Sequence, residues 1–466
     1  MNSITRFVFN LICGERRQNT ACLCSALCAL LLAGCGGGHG QVPVTPTSTS
    51  ATSSGGNAAG GATLTRQEFA YVVNADDNTV AQFKINTDGT LAPLTPATVG
   101  VTPNAVQTLI TPNGQFAYVM AQAQDTGTAV VSQFKINTDG TLAPLTPATA
   151  TLGNLITNNL PAGSSSNIAG VVQHPVHLTM DPQGRFLYAP TASQILRFPV
   201  SANGTLGTPS AAATMPSPIL AFALDPQGRF ACIGSQTPAA GVFLTSFTVS
   251  PDGSFTQSAG LPASLNGVVA IVALAIDPTG RLLYASSLTT PDAQGSNGAV
   301  LAAFTVKTDG TLTPGKTISL NAAFTSAAGI TSADQFNLPL AASVFHPVFN
   351  ATGQFVYLPT DSPRLLMDSV GADGTLTPLS SGFALAGTAT STATIEPSGA
   401  FLYVANQDTS VSQFRVSTDG TLRPLATPSI TTGHRPLDIV TTAPAVAVAA
   451  KSVRSAFHPF ATRTAK

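Results

Sequence analysis

QFKINTDGTLAPLTPAT, residues 82–98, returns letter for letter at residues 133–149 and in altered form five more times. An alternating apolar run, an Asp-Gly turn and a second short apolar run describe a β-hairpin. The hairpin glycines are Gly89, Gly140, Gly204, Gly253, Gly310, Gly374 and Gly420, spaced 46 to 64 residues apart. A second mark, a Pro-x-Gly turn, recurs at 112–114, 182–184, 226–228, 278–280 and 397–399, with Ala351-Thr352-Gly353 as a variant. Pro presets the second position of a type I turn and Gly suits the fourth. A period near 50 residues containing about four strands is the length of one propeller blade.

Each unit therefore predicts strand A ending at Pro-x-Gly, strand B with Phe-x-Tyr, strand C with Phe-x-Val or Phe-x-Ile, and a short strand D at Gly-Thr-Leu. All six tyrosines, Tyr71, Tyr118, Tyr188, Tyr284, Tyr357 and Tyr403, fall at one strand-B position, and Cys232 takes the seventh. A residue type used only there has one environment, a wedge between neighbouring blades. The first unit begins directly at strand B (Phe69-Ala70-Tyr71), and an orphan strand A, Pro436-Leu437-Asp438-Ile439-Val440, follows the last. Joining the two closes the ring and removes the exposed edges that a sheet must otherwise hide. The expectation is an all-β, seven-bladed propeller of four antiparallel strands per blade over residues 67–444, with an unassigned tail at 445–466.

Composition agrees. Charged residues are only 9% of the 466, and the net charge of −1 gives no electrostatic argument for nucleic acid. Arg6, Arg16 and Arg17 precede an apolar run ending in Leu32-Ala33-Gly34-Cys35, the layout of an export signal. LAGC resembles a bacterial lipobox, which makes residues 1–35 a signal peptide with Cys35 the lipidated first mature residue. Gly36, in place of Asp, resembles lipoproteins sorted to the outer membrane. Residues 36–66, rich in Gly, Ser and Thr, read as a flexible tether. The expected location is the cell envelope, with the membrane engaged only through the Cys35 lipid and the chain a monomer. Five of six cysteines lie in the leader, so no disulfide can form within the body.

Function is expected where the repeat is broken. The invariant turns all belong to one face, leaving length variation to the B–C and D–A loops of the other. From hairpin Gly to the next turn Gly the distance is 24 to 27 residues in four cases, but 44 before Gly184 and 43 before Gly353. The two extra segments, about 150–173 and 316–342, precede blades 3 and 6, nearly opposite in the ring. Loops on a rigid scaffold are the usual place for binding. His177 and His346 each stand seven residues before a turn Gly, at equivalent innermost positions of those blades. His174 lies just upstream of His177, and His434-Arg435 heads the closing strand. Imidazoles near a channel can act as bases or ligands; the plainer reading is a pair of satisfied channel-lining histidines. Asp334 and Arg364 join His346 and His434 as ligand-face candidates. Three unlinked histidines fall short of a zinc pattern, and Asp76-Asp77-Asn78 lacks the oxygen ladder of a calcium loop and reads as a polar turn. Arg185, Arg229 and Arg281 repeat after their turn glycines, which argues for rim packing. No metal or other cofactor is implied.

DPQGRFLYAP, EPSGAFLYVAN and SQFRVSTDGTLRPL resemble the lactonase-like seven-bladed propeller family, which includes propeller-type 6-phosphogluconolactonases. Tyr71-Val72-Val73-Asn74 and Tyr403-Val404-Ala405-Asn406 are similar to YVTN repeats. The resemblance spans about residues 67–444 and recurs in every blade. It implies a histidine on an inner strand, for which Gln173-His174-Pro175-Val176-His177 is the match; Ala189–Ser193 stands where the family carries an acidic loop. Two functions follow as expectations. One is a lipid-anchored scaffold binding a small molecule or protein partner on the long-loop face. The other is a lactone hydrolase with His177, beside His174, as base and Arg435 polarising the carbonyl.

Overall fold

The structure is a computed structural model, describing residues 67–122, 128–155, 177–237, 241–260, 262–291, 297–319, 346–360 and 362–442. Every regular element among these is a β-strand, and the strands form seven antiparallel sheets. Six sheets take four strands in chain order, and the one in blade 4 adds a fifth, two-residue strand, Ala263–Ser264, beside Gly241–Val249. The seventh places Pro436–Thr441 beside Phe69–Asn74, with Tyr71 opposite Val440 and Val72 opposite Ile439. The predicted closure is thus present, and blade 1 is built from both ends of the ring.

Both recurrent turns have the expected geometry, one with an addition. In the A–B turns Gly114 N donates to Thr111 O at 2.7 Å, with Gly114 at φ 67°. In the C–D hairpins Gly89 N donates to Asn86 O and Asn86 N to Thr90 O, so a type I turn is followed by a bulge at Gly89, φ 89°. The residue before each of these glycines, Asp in six hairpins and Asn203 in the seventh, caps the turn: Asp88 accepts from the amide and hydroxyl of Thr90, which lowers its pKa, and Asn203 accepts in the same way from Thr205.

The outer strand differs from expectation. It is not a short Gly-Thr-Leu run but reaches 10 residues in Leu91–Gly100 and 13 in Leu142–Asn154. A register shift opposite Gln82 lets the strand bulge and then resume pairing. In blade 3 the Gly-Thr-Leu segment supplies only an isolated bridge, Val200 to Leu206, and strand D begins later, at Ser210–Thr214.

The apolar core is distributed. Seven buried clusters each lie between two successive blades, such as Phe69, Tyr71, Ala117 and Phe134 between blades 1 and 2. The tyrosine wedge is also a latch. Each hydroxyl donates to the hairpin glycine carbonyl of the next blade, Tyr71 to Gly140 through to Tyr403 to Gly89, at 2.6 to 3.1 Å. Burial raises every one of these phenols' pKa values. Blade 4 lacks this bond because Cys232 stands in place of Tyr; its thiol is buried in the cluster between blades 4 and 5.

Gln82, Gln133 and Gln413 add a second latch to three seams. Gln82 Oε1 accepts from Leu142 N of blade 2 at 2.6 Å, and its Nε2 donates to Pro96 O at 3.0 Å. Gln133 joins Leu206, and Gln413 joins Leu91, in the same way. In these repeats one side chain satisfies two blades at once.

Candidate functional site

The inner strands surround the ring axis, and their register defines one ring of equivalent positions. Three residues before the partner of the second strand-B residue stand Asp438, Gln107, His177, Ala221, Ala273, His346 and Thr392, in blades 1 to 7. Five are polar and run consecutively from blade 6 through blade 7 and blades 1 to 3. The two alanines occupy the arc between His177 and His346.

Most of the polar members bind the neighbouring inner strand. Thr392 donates to Asp438 Oδ1 at 3.2 Å and accepts from Ile439 N at 3.2 Å. Asp438 Oδ2 in turn accepts from Thr108 N of blade 2 at 2.7 Å. Gln107 pairs with the backbone of Leu178 in blade 3, accepting from its N at 2.8 Å and donating to its O at 3.0 Å. Burial raises the Asp438 pKa to about 6, against the opposing pull of the Thr108 and Thr392 bonds.

His177 and His346 meet each other. Blades 3 and 6 are three steps apart in a ring of seven, so their inner side chains can touch only across the axis. They do: the imidazole centroids are 4.4 Å apart with the planes at 88°, an edge-to-face contact. Both residues are half-buried, and each stands two residues before its inner strand, Thr179–Met180 or Val348–Phe349, where the chain enters from the long-loop face.

The remaining described candidates lie on other parts of the blades. Arg435 forms an ion pair with Asp76 at 2.9 Å, both half-exposed, and its backbone lies at φ 51°. His434 N donates to Asp77 Oδ2 at 2.7 Å, and Asn78 Oδ1 accepts from Asn104 N at 3.0 Å. Asp76-Asp77-Asn78 is thus a polar loop binding its neighbours. Gly433 is required beside it, since a Cβ there would overlap Asp77 Oδ2 and the Asn74 side chain. Arg364 lies over the Phe383 ring at 4.9 Å on blade 6. Near it Thr360, Ser362 and Thr390 form a buried hydroxyl network, with Thr360 N donating to Thr390 Oγ1 at 2.7 Å. His174, Asp334 and Cys35 lie outside the described residues, as do most of the two long insertions. The repeated arginines are rim residues: Arg185 and Arg229 pair with Asp181 and Asp225 at 3.0 and 2.9 Å, and Arg281 bonds Thr279.

Three features were not anticipated from sequence. Asp438 and Gln107 belong to the His177 ring; counting back seven from Gly114 would have shown Gln107, whereas the closing strand of Asp438 has no turn glycine to count from. Asp368 stands where six blades place a buried Phe on strand C, and burial raises its pKa to about 6. A cleft of about 480 Å³ opens between blades 6 and 7 on the long-loop side, beside Leu385, Thr388, Asp408 and Ser410.

No family model matches the chain, and no curated protein matches it in sequence. Solved structures do match in fold. A candidate 6-phosphogluconolactonase of Bacteroides uniformis superposes with a TM-score of 0.58 at 18% identity, covering 81% of this chain and 100% of its own. The periplasmic gluconolactonase of Pseudomonas aeruginosa gives 0.57 at 15%, covering 81% and 99%. A candidate 6-phosphogluconolactonase of Bacteroides fragilis gives 0.55 at 17%, covering 82% and 99%. The chain is a seven-bladed propeller whose structural neighbours are lactonase-like.

Proposed function

We propose that this chain is a lipid-anchored cell-envelope propeller that binds a small, oxygen-rich ligand at the long-loop mouth of its ring, over the His177–His346 pair. The observation that supports the reading is the convergence of two equivalent imidazoles across the axis at 4.4 Å. They are the two inner-ring residues from the blades that the long insertions precede.

The test is a thermal-shift and calorimetric screen of the purified chain against sugar lactones, their open aldonic acids and neutral sugars. Binding by wild type that is lost in His177→Ala and His346→Ala supports the reading; binding unchanged in both variants refutes it. Metabolic palmitate labelling that disappears in Cys35→Ala tests the anchor.

A second reading, lactone hydrolysis, is favoured by the names of the structural neighbours. His177 would act as base and Arg435 would polarise the carbonyl; the Asp76–Arg435 ion pair would first have to open. A lactone-hydrolysis screen beside His177→Ala separates the two readings, because equal background rates leave binding alone.

A further inference from the structure

We infer that the cleft between blades 6 and 7 is a binding site for a small organic cation, a primary alkylammonium, with Asp408 as its counter-ion. The inference goes beyond the ligand at the ring axis and does not depend on it.

The cleft opens where the seam lacks a side chain that another seam has. Asn406 stands opposite Thr390 in blade 7, where blade 2 has Ala121 opposite Ala105. Its Oδ1 accepts from Gly387 N at 3.0 Å, and a Cβ on Gly387 would overlap the Asn406 side chain. Between blades 1 and 2 the equivalent linker residue, three before Ala105, is Thr102. Its hydroxyl meets Ser132 Oγ at 3.0 Å and ties the two blades together. Gly387 has no side chain to reach Ser412, the counterpart of Ser132. The resulting cleft of about 480 Å³ has Phe414 at its base and the exposed rings of Pro424 and Pro428 beside it.

Electrostatics select a cation for this space. Asp408 Oδ1 accepts from the amide and hydroxyl of Ser410 at 2.7 and 2.8 Å, while Oδ2 takes two long contacts from Thr388, at 3.5 and 3.4 Å. Burial opposes ionisation, but these bonds outweigh it and hold the carboxyl below its ordinary pKa. Among the described residues no Lys or Arg pairs with it. The next seam supplies the contrast. There His434 N donates to Asp77 as Thr388 N does to Asp408, and Arg435 O accepts from Ala75 N as Ala389 O does from Gln407 N. Arg435 sends its guanidinium to Asp76 at 2.9 Å. Ala389, in the equivalent position, brings no charge to Asp408. An ammonium group from outside the chain can donate to Oδ2, with its alkyl chain against Phe414 and the two prolines.

The experiment is isothermal titration calorimetry of the full chain with butylammonium chloride, beside butanol and sodium butyrate as neutral and anionic counterparts. Butylammonium should bind one per chain, and the other two should not bind. Asp408→Asn should weaken the ammonium at least about tenfold, the loss of one charge-assisted hydrogen bond. Ala389→Arg, which copies Arg435, should do the same by giving Asp408 a guanidinium from the chain itself. Asp309→Asn, at an exposed hairpin turn, should bind as wild type. The proposal is overturned if wild type does not bind butylammonium or binds butanol equally well. Wild-type affinity in Asp408→Asn or Ala389→Arg, or an equal loss in Asp309→Asn, also overturns it. The butanol comparison uses wild type alone, so it decides even if a variant fails to fold.

Discussion

Replacing Gln82 by Leu removes the second latch between blades 1 and 2 while preserving side-chain volume. Gln82 is fully buried; its oxygen satisfies Leu142 N and its nitrogen satisfies Pro96 O. Leaving a buried N–H without a partner costs about 1–3 kcal/mol, and losing the donor to the carbonyl about 1 kcal/mol more. Easier desolvation of Leu offsets part of this, so a net loss of about 2 kcal/mol is expected. Met367 supplies the control, being equally buried and facing its tyrosine in the same register but forming no such bond. Met367→Leu, a near-isosteric apolar exchange, should cost less than about 1.5 kcal/mol. The assay is equilibrium urea unfolding followed by far-UV circular dichroism, since the chain contains no Trp. Equal shifts of the urea midpoint in Gln82→Leu and Met367→Leu would refute the latch reasoning. Met367→Gln tests it from the other side: a bond to Leu422 N should add up to about 1 kcal/mol.

Asp368 and Asp438 both have pKa values raised by burial to about 6, so each native carboxyl takes up a proton before its unfolded counterpart does. Stability from these groups is therefore present at low pH and lost as pH rises through 6. Wild type should gain about 2–3 kcal/mol over Asp368→Asn between pH 7 and pH 4, and a pH-independent difference in unfolding free energy would contradict this. Arg435 at φ 51° makes a testable contrast: Arg435→Gly should melt at or above wild type, while Arg435→Ala should melt lower, because only Gly relaxes the left-handed backbone. Gly433→Ala should destabilise ring closure by about 1–3 kcal/mol by breaking the His434–Asp77 bond, visible as faster amide exchange along Pro436–Thr441.

Much of this could be read from residue order because propeller turns are local. Type I turns need Pro and Gly at fixed offsets, so Gly114 and Gly89 mark strand ends without reference to the rest of the chain. The single register of the six tyrosines was equally legible, since an identical environment demands an identical residue. Strand D was harder. Its pairing resumes after a bulge whose length depends on the partner strand, and nothing within Ala92–Thr98 signals that Thr98 again faces Ala81. The candidate site was legible only as separate members. Equivalent histidines on blades 3 and 6 could be matched by counting, but Arg435 had no visible partner until the blade 1 loop placed Asp76 beside it.

By itself the sequence determined the number of blades, their strand order and the closure of blade 1 by the last strand, because each rests on short-range turn chemistry and periodic burial. Tertiary structure alone decided what the repeats are for and what meets at the axis. Gln82 and Tyr71 act on the blade after their own, 60 and 69 residues further along the chain. His177 and His346 lie far apart in sequence, and their contact follows from the curvature of a closed ring of seven, a sum over every inter-blade angle that no local stretch contains.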